Sequence, residues 1–422
     1  MNLRLSTFTV LAVGLLTLVP AICAEDWSAF RGANGNGISK VKDVPTEWSA
    51  KENVAWKKPM PAPGDGSPVI SDGKVFVTCA EDDGRKRSLY CFALADGNEL
   101  WVRDVDFGRV MPTHKTNLYG GTTPAVADGK VVVWHSSAGL YCYNYAGDEQ
   151  WSRNFGDFKH MWGYGTSPVI HQGRVILHSG PGEKVFIAAL DLKTGDTIWN
   201  HDEPLEGNGE RNKQNKYMGS WSTPVIANTF VGEVLVCSMP TRVIGLDPKT
   251  GDIVFTCDGL RGKKGDLAYA SPVIAGQMCI AMGGFNGPTL AFEMNGRGNI
   301  TEKSRRWRIE PNPQRIGSGV FTNGFVYMAN AGPNAIECID VESGRSLWRK
   351  RLDGAHWGSI VAAGGYLFAT DQKGTTTVFR PNKSEFDPVH TNRLLEPTNS
   401  TPAVAEGRIV IRTFKNLYAL GK

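Results

Sequence analysis

Segments rich in Trp, Tyr, His and Gly stand immediately ahead of a recurring Ser/Thr step in this chain. Tyr119-Gly120-Gly121, His160-Met161-Trp162-Gly163-Tyr164-Gly165 and Tyr217-Met218-Gly219-Ser220-Trp221 are the richest. Tyr269, Arg315, His356-Trp357-Gly358 and Asn399 hold matching places further on. Aromatic faces of this kind stack planar or sugar-like ligands, and a guanidinium reads an anionic group through paired N–H donors. The candidate binding residues are Tyr119, His160, Trp162, Tyr164, Tyr217, Trp221, Tyr269, Arg315, His356 and Trp357. The alternative is packing alone, with the rings closing against one another.

Other chemistries find little support. The eight histidines form no H-E-x-x-H pair and no metal-ligand spacing, and His160 and His356 lack a carboxylate partner in sequence. No metal site and no catalytic set is expected. There is no Cys-x-x-Cys-His haem motif, phosphate-binding loop, EF-hand loop or Gly-x-Ser-x-Gly elbow. Net charge is +4, and no Lys/Arg run is interleaved with aromatics as a nucleic-acid groove requires. The densest basic patch, residues 303–308, reads as a solvated turn.

Two alternating signatures position the candidate residues. The first is Ser/Thr-Pro, two apolar residues, a turn with Gly and a second apolar strand. It occurs at Ser67-Pro68, Thr123-Pro124, Ser167-Pro168, Thr223-Pro224, Ser271-Pro272 and Thr401-Pro402, with degenerate copies at Ser318-Gly319 and Ser359-Ile360. The second is a hairpin, clearest at Ala189-Leu190-Asp191-Leu192-Lys193-Thr194-Gly195-Asp196-Thr197-Ile198-Trp199. Its aromatic end recurs at Trp101, Trp151, Phe255, Trp307 and Trp348, and the seventh copy has lost it. Such a self-similar period of about 40 to 56 residues, with four short strands per unit, is that of a β-propeller. The expectation is an all-β, eight-bladed propeller of four-stranded antiparallel blades. The eighth copy lacks an outer strand, and Asn53-Val54-Ala55-Trp56-Lys57 is its donor, so the N-terminal strand closes the ring. Trp56, Trp101, Trp151, Trp199, Phe255, Trp307 and Trp348 are then wedges between blades, with Asp191 capping its own turn.

The Ala-x-Asp…Thr-Gly…Trp spacing at residues 189–199, with near copies at residues 245–251 and 338–348, resembles the tryptophan-docking motif of the PQQ-like repeat family. The resemblance spans roughly residues 48–422. The family holds eight-bladed quinoprotein dehydrogenases and non-enzymatic propellers such as the assembly lipoprotein BamB. The leader Trp27-Ser28-Ala29-Phe30-Arg31-Gly32, with Gly35 and Gly37, resembles the start of exported bacterial members. For a dehydrogenase the resemblance implies PQQ in the channel beside Ca²⁺, with an Asp base. This chain lacks the adjacent Cys-Cys pair of those enzymes, and their metal-ligand Glu and Asn have no match here. Asp266 and Asp371 are candidate acids only by their loop positions. No cofactor is therefore expected, with PQQ and calcium the alternative.

Residues 1–24 read as an export signal: Arg4, an apolar stretch over residues 5–19, Pro20 and a small-residue exit at Ala24. Ile22 before Cys23 argues against lipidation. Residues 25–47 form a lead segment and residues 48–422 the propeller. No other stretch is apolar enough to span a membrane. Seven cysteines remain after the signal, an odd number with no compact spacing, and Cys91, Cys142 and Cys338 share one strand position as small apolar fillers. The expected protein is an exported, periplasmic or extracellular, non-catalytic propeller. Its loops at the channel mouth would bind a protein, peptide or glycan, with a quinoprotein dehydrogenase or a BamB-like assembly factor as alternatives.

Overall fold

The repeating strand pairs fold as eight blades of four antiparallel strands, the fourth blade carrying an added parallel strand. The structure, a computed structural model, describes residues 26–310 and 313–421. The export-signal reading of residues 1–24 lies outside the described residues. Blade 3 shows the common plan: Val169–His171, Arg174–His178, Phe186–Asp191 and Thr197–Asp202 run from the innermost strand to the outermost. Blade 8 is composite. Ala403–Ala405, Arg408–Arg412 and Asn416–Leu420 are completed by Val54–Pro59, with Trp56 opposite Ala419 as Trp199 is opposite Ala189. The eight-bladed ring closed by the N-terminal strand is thus the observed architecture. Apolar clusters lie between successive blades, for example Ile187, Ala189 and Trp199 of blade 3 against Leu235 and Ile244 of blade 4. All seven described cysteines are buried and free.

Two belts join the blades. In the outer belt each wedge indole donates to a carbonyl of the next blade: Trp56 to Leu94 at 2.7 Å, Trp101 to Tyr145 at 3.0 Å and Trp151 to Leu192 at 3.0 Å. Trp199 reaches Pro248 at 3.1 Å, Trp307 reaches Val341 at 2.7 Å and Trp348 reaches Asn382 at 2.8 Å. The residue paired across the strand from each wedge is small, as with Cys91 opposite Trp101, Cys142 opposite Trp151 and Cys338 opposite Trp348. Gly195 shows why the turn needs glycine. Its φ is +75°, and a Cβ there would lie 2.6 Å from the Trp151 ring. Asp191 caps this turn by accepting the Lys193 and Thr194 amides at 2.7 and 3.0 Å.

Blades 4 and 7 depart from the plan. Phe255 has no indole N–H to donate. It packs edge-on against Phe292 of blade 5 at 5.8 Å, and its strand gains a parallel partner, Gly298–Asn299. In blade 7 the wedge position holds His390, opposite Val378. Trp48, ahead of the closing strand, is buried there instead, stacked on Phe368 at 6.3 Å, with its amide donating to Asn392.

The inner belt is a chain of amide-to-hydroxyl bonds around the channel. The Ser67 amide donates to Thr123, Thr123 to Ser167 and Ser167 to Thr223, at 3.0–3.1 Å. Ser271 donates to Ser318, Ser318 to Ser359, Ser359 to Thr401 and Thr401 back to Ser67, at 2.9–3.0 Å. The recurring Ser/Thr step is therefore a clasp between blades as well as a lining. The leader crosses this end of the ring. Trp27 pairs with Ile70 of blade 1, and the Gly37 carbonyl accepts the Ala362 amide of blade 7.

Candidate functional site: a cavity at the channel mouth

The loops leading into the innermost strands converge on a cavity of about 330 Å³ at the channel axis. Its walls combine the inner hydroxyl belt with the aromatic faces of Trp162, Trp221, Tyr269 and Trp357. Phe285, Asp65, His114, Asn117, Gln314 and Asn399 complete the polar and aromatic lining. Phe30 of the leader lines both this cavity and a second one of about 280 Å³, and so separates them.

Two long loops build the mouth. In the first, Asn117 donates to the Trp162 and Tyr164 carbonyls at 2.6 and 3.0 Å, bringing His114 and Thr116 to the wall. In the second, Tyr217–Ser220 pairs in parallel with Gly265–Ala268. The Trp221 amide continues that ladder to the Ala268 carbonyl at 2.8 Å, and the Trp221 indole donates to the Gly163 carbonyl at 2.9 Å. Trp162, Trp221 and Tyr269 form a run of tilted rings with centroids 5.9 and 5.4 Å apart. Rings held by backbone pairing in this way are preorganised rather than loose.

Of the ten candidate residues, four line the cavity: Trp162, Trp221, Tyr269 and Trp357. The other six stand outside its lining. His160 is buried behind the aromatic run, with Nε2 3.0 Å from the Met218 carbonyl and its ring edge-on to Trp221 at 4.9 Å. Tyr217 packs behind Trp162 at 4.6 Å. Tyr119 and Tyr164 flank the buried Arg87 guanidinium, which donates to the Tyr164 hydroxyl at 3.1 Å. His356 is buried, and burial lowers its pKa to about 4, so it is neutral near pH 7. Arg315 is not free to read an anion. It is 3% exposed and donates to Glu337 at 2.6 Å, Thr289 at 2.6 Å and Asn330 at 3.3 Å. Burial alone would raise the Glu337 pKa, but the charge of Arg315 and hydrogen bonds from Arg315, Asn330 and Arg349 outweigh that and hold it at about 2. The expectation that Arg315 faces a ligand is thus corrected by a buried ion pair.

Asp266 and Asp371 are also committed elsewhere. Asp266 accepts from Arg261 at 2.7 Å and Asn212 at 2.9 Å, and Asp371 caps the Lys373 and Thr375 amides at 2.9 Å. The carboxylate in the cavity wall is Asp65, which sequence reasoning passed over. It accepts the Leu118 amide at 2.8 Å and Asn399 Nδ2 at 3.0 Å. Burial raises its pKa to about 7, against the pull of those donors and of the Arg412 charge. A signal was available: Asp65 precedes Ser67 in the loop that corresponds, in blade 1, to the aromatic loops of the later blades. Phe30, by contrast, lies far from every repeat.

A family model described as outer membrane protein assembly factor BamB matches residues 85–350 and 334–420. The chain belongs to this PQQ-like BamB family. Among solved structures, the BamB-family chain is similar to BamB from Moraxella catarrhalis, with a TM-score of 0.62 and 14% identity over 87% of this chain and 99% of that one. It is similar also to the quinohemoprotein alcohol dehydrogenase from Comamonas testosteroni, with a TM-score of 0.67 and 15% identity over 95% and 82% of the two chains. A computationally designed protein, Ika8, matches with a TM-score of 0.58 and 12% identity over 86% and 98%. At these identities the likeness is one of fold. A search of curated proteins returns no match to the sequence.

Proposed function

We propose that this chain is an exported, non-catalytic propeller whose channel mouth binds a saccharide. The observation that carries the reading is the cavity wall itself. Four aromatic faces stand beside the amide side chains of Asn117, Gln314 and Asn399 and a belt of hydroxyls whose own protons remain available. Flat apolar faces with neighbouring donors and acceptors suit a sugar ring, which is apolar on its faces and polar at its rim. A volume of about 330 Å³ is at the small end of small-molecule sites, roughly 300–1,000 Å³, which favours one end of a glycan over a protein surface. Export rests on the reading of residues 1–24.

The dehydrogenase reading needs a home for PQQ, a tricarboxylate, and for its cation. The lining carries one carboxylate, Asp65, and no Lys or Arg. Among the described residues no three His, Cys, Asp or Glu side chains come together as a metal site. These residues do not fit that pair. An assembly role, supported by the family match, would use a protein partner instead.

Calorimetric titration of the full chain with neutral oligosaccharides tests the proposal. Saturable binding is expected, with tryptophan fluorescence changing in step. Trp357→Ala should abolish it while leaving Tm unchanged. No binding to wild type, or dye reduction with PQQ, Ca²⁺ and alcohols, would overturn the proposal. A protein captured equally by wild type and Trp357→Ala would favour the assembly role.

A further inference from the structure

The charge of the cavity wall is lopsided. Asp65 is its one carboxylate, and no Lys or Arg side chain lines it. The neighbouring guanidiniums are occupied elsewhere. Arg315 is paired with Glu337, Arg87 donates to Tyr164, and Arg412 donates to the Thr413 and Ala62 carbonyls. Of the other titratable groups in the lining, His114 has Nδ1 2.8 Å from Thr116 Oγ1, and burial raises the pKa of the Tyr269 phenol.

Asp65 also has acceptor capacity left. A carboxylate offers about four lone-pair directions. One Asp65 oxygen receives the Leu118 amide and the other receives Asn399, so each has room for one more donor. The aromatic rings add to the same preference, because a ring face attracts a cation through its quadrupole. Trp162, Trp221, Tyr269 and Trp357 thus disfavour an anionic ligand and tolerate or attract a positive one.

We propose that the saccharide taken by this cavity is an amino sugar, whose protonated amine donates to the Asp65 carboxylate while its ring lies on the aromatic faces. This deepens the saccharide reading and rests on it. Both oxygens of Asp65 are already oriented by Leu118 and Asn399; its pKa of about 7 leaves the proton shared at pH 7, and the charge of the arriving ammonium favours the ionised form that receives it. The amine supplies the countercharge that the wall lacks, and the inner hydroxyl belt meets the sugar's hydroxyls.

The test is titration of the full chain at pH 7 with β-1,4-linked glucosamine tetramer, its N-acetylated counterpart, glucose tetramer of the same linkage, and tetramethylammonium. The amine form is expected to bind at least tenfold more tightly than the N-acetylated form. Asp65→Asn should erase that preference and retain binding of the neutral tetramers. Gln314→Lys, which leaves the partners of Asp65 in place, should weaken the amine form by a larger factor than the neutral tetramers. Equal or tighter binding of the N-acetylated form, or a preference that survives Asp65→Asn, would overturn the assignment while leaving the saccharide reading standing. Tetramethylammonium binding as tightly as the amino sugar would also overturn it, since the ring would then be unread. Silence from every sugar would overturn both readings together.

Discussion

The Thr401 amide donates to the Ser67 hydroxyl at 2.9 Å, joining the eighth blade to the first. The same bond recurs between internal blades, for example from Ser271 to Ser318 at 2.9 Å. Ser67→Ala would leave the Thr401 amide buried without its acceptor, at a cost of about 1–3 kcal/mol. Ser318→Ala should cost a similar amount at an internal joint. Urea denaturation midpoints check both, and an effect confined to Ser67 would mean that only the closure joint depends on the clasp.

The outer belt is expected to be costlier to break. Trp151→Ala removes a buried indole and the bond to Leu192, for about 3–5 kcal/mol. Gly195→Ala tests the same joint from the other side, because its Cβ would meet the Trp151 ring and its φ is left-handed. Both variants should lower Tm. A neutral Gly195→Ala would show that the ring can move aside.

Acid should open the ring at the closing blade. Glu396 accepts from Lys57 of the N-terminal strand and from Thr413, Asn416 and Tyr418 of blade 8. Burial alone would raise its pKa, but these donors outweigh burial and hold it at about 2, below the ordinary 4.5. A depressed carboxyl contributes stability that is present above the unfolded value and lost as pH falls through the folded one. Thermal melts between about pH 4.5 and pH 2 should show this loss, and Glu396→Gln should reduce it. An unchanged acid profile in that variant would place the sensitivity elsewhere, with Glu337 the next group to examine.

Asp65 has the opposite sign. Its folded pKa of about 7 lies above the ordinary 3.8, so its neutral form is the one the fold prefers. That contribution is complete below about pH 3.8 and is lost as pH rises to about 7. The groups set against it are the Leu118 amide, Asn399 and Arg412. Wild type should therefore lose stability between about pH 4 and pH 7 relative to Asp65→Asn, read as the difference in Tm across that range. Parallel melting curves for the two proteins would contradict the assignment.

The repeats were legible because each blade states its own local rules. Asp191, Thr194 and Gly195 make the turn, and the wedge faces a small residue that admits its ring, as Cys142 admits Trp151. Even the closing strand could be counted, since blade 8 ended without a wedge and Trp56 had no blade of its own. The candidate site was half legible. Loop position picked out Trp162, Trp221, Tyr269 and Trp357, but could not tell them from His160 or Tyr217, which stand one layer behind. Arg315 was misread for the same reason: nothing near it in the chain announces Glu337, 22 residues away.

The sequence by itself determined the number of blades, the wedge of seven of the eight joints and the strand that closes the ring. These depend on contacts at fixed short spacings, repeated until no other architecture satisfies them all. Only the tertiary structure decided which charges remain for a ligand. Arg315 and Asp65 look alike in the chain, one ionisable residue in each of two loops ahead of a Ser. Folding buries the first against Glu337 and turns the second to the cavity, because the ring brings together residues from blades 1, 2 and 8 that share no local pattern.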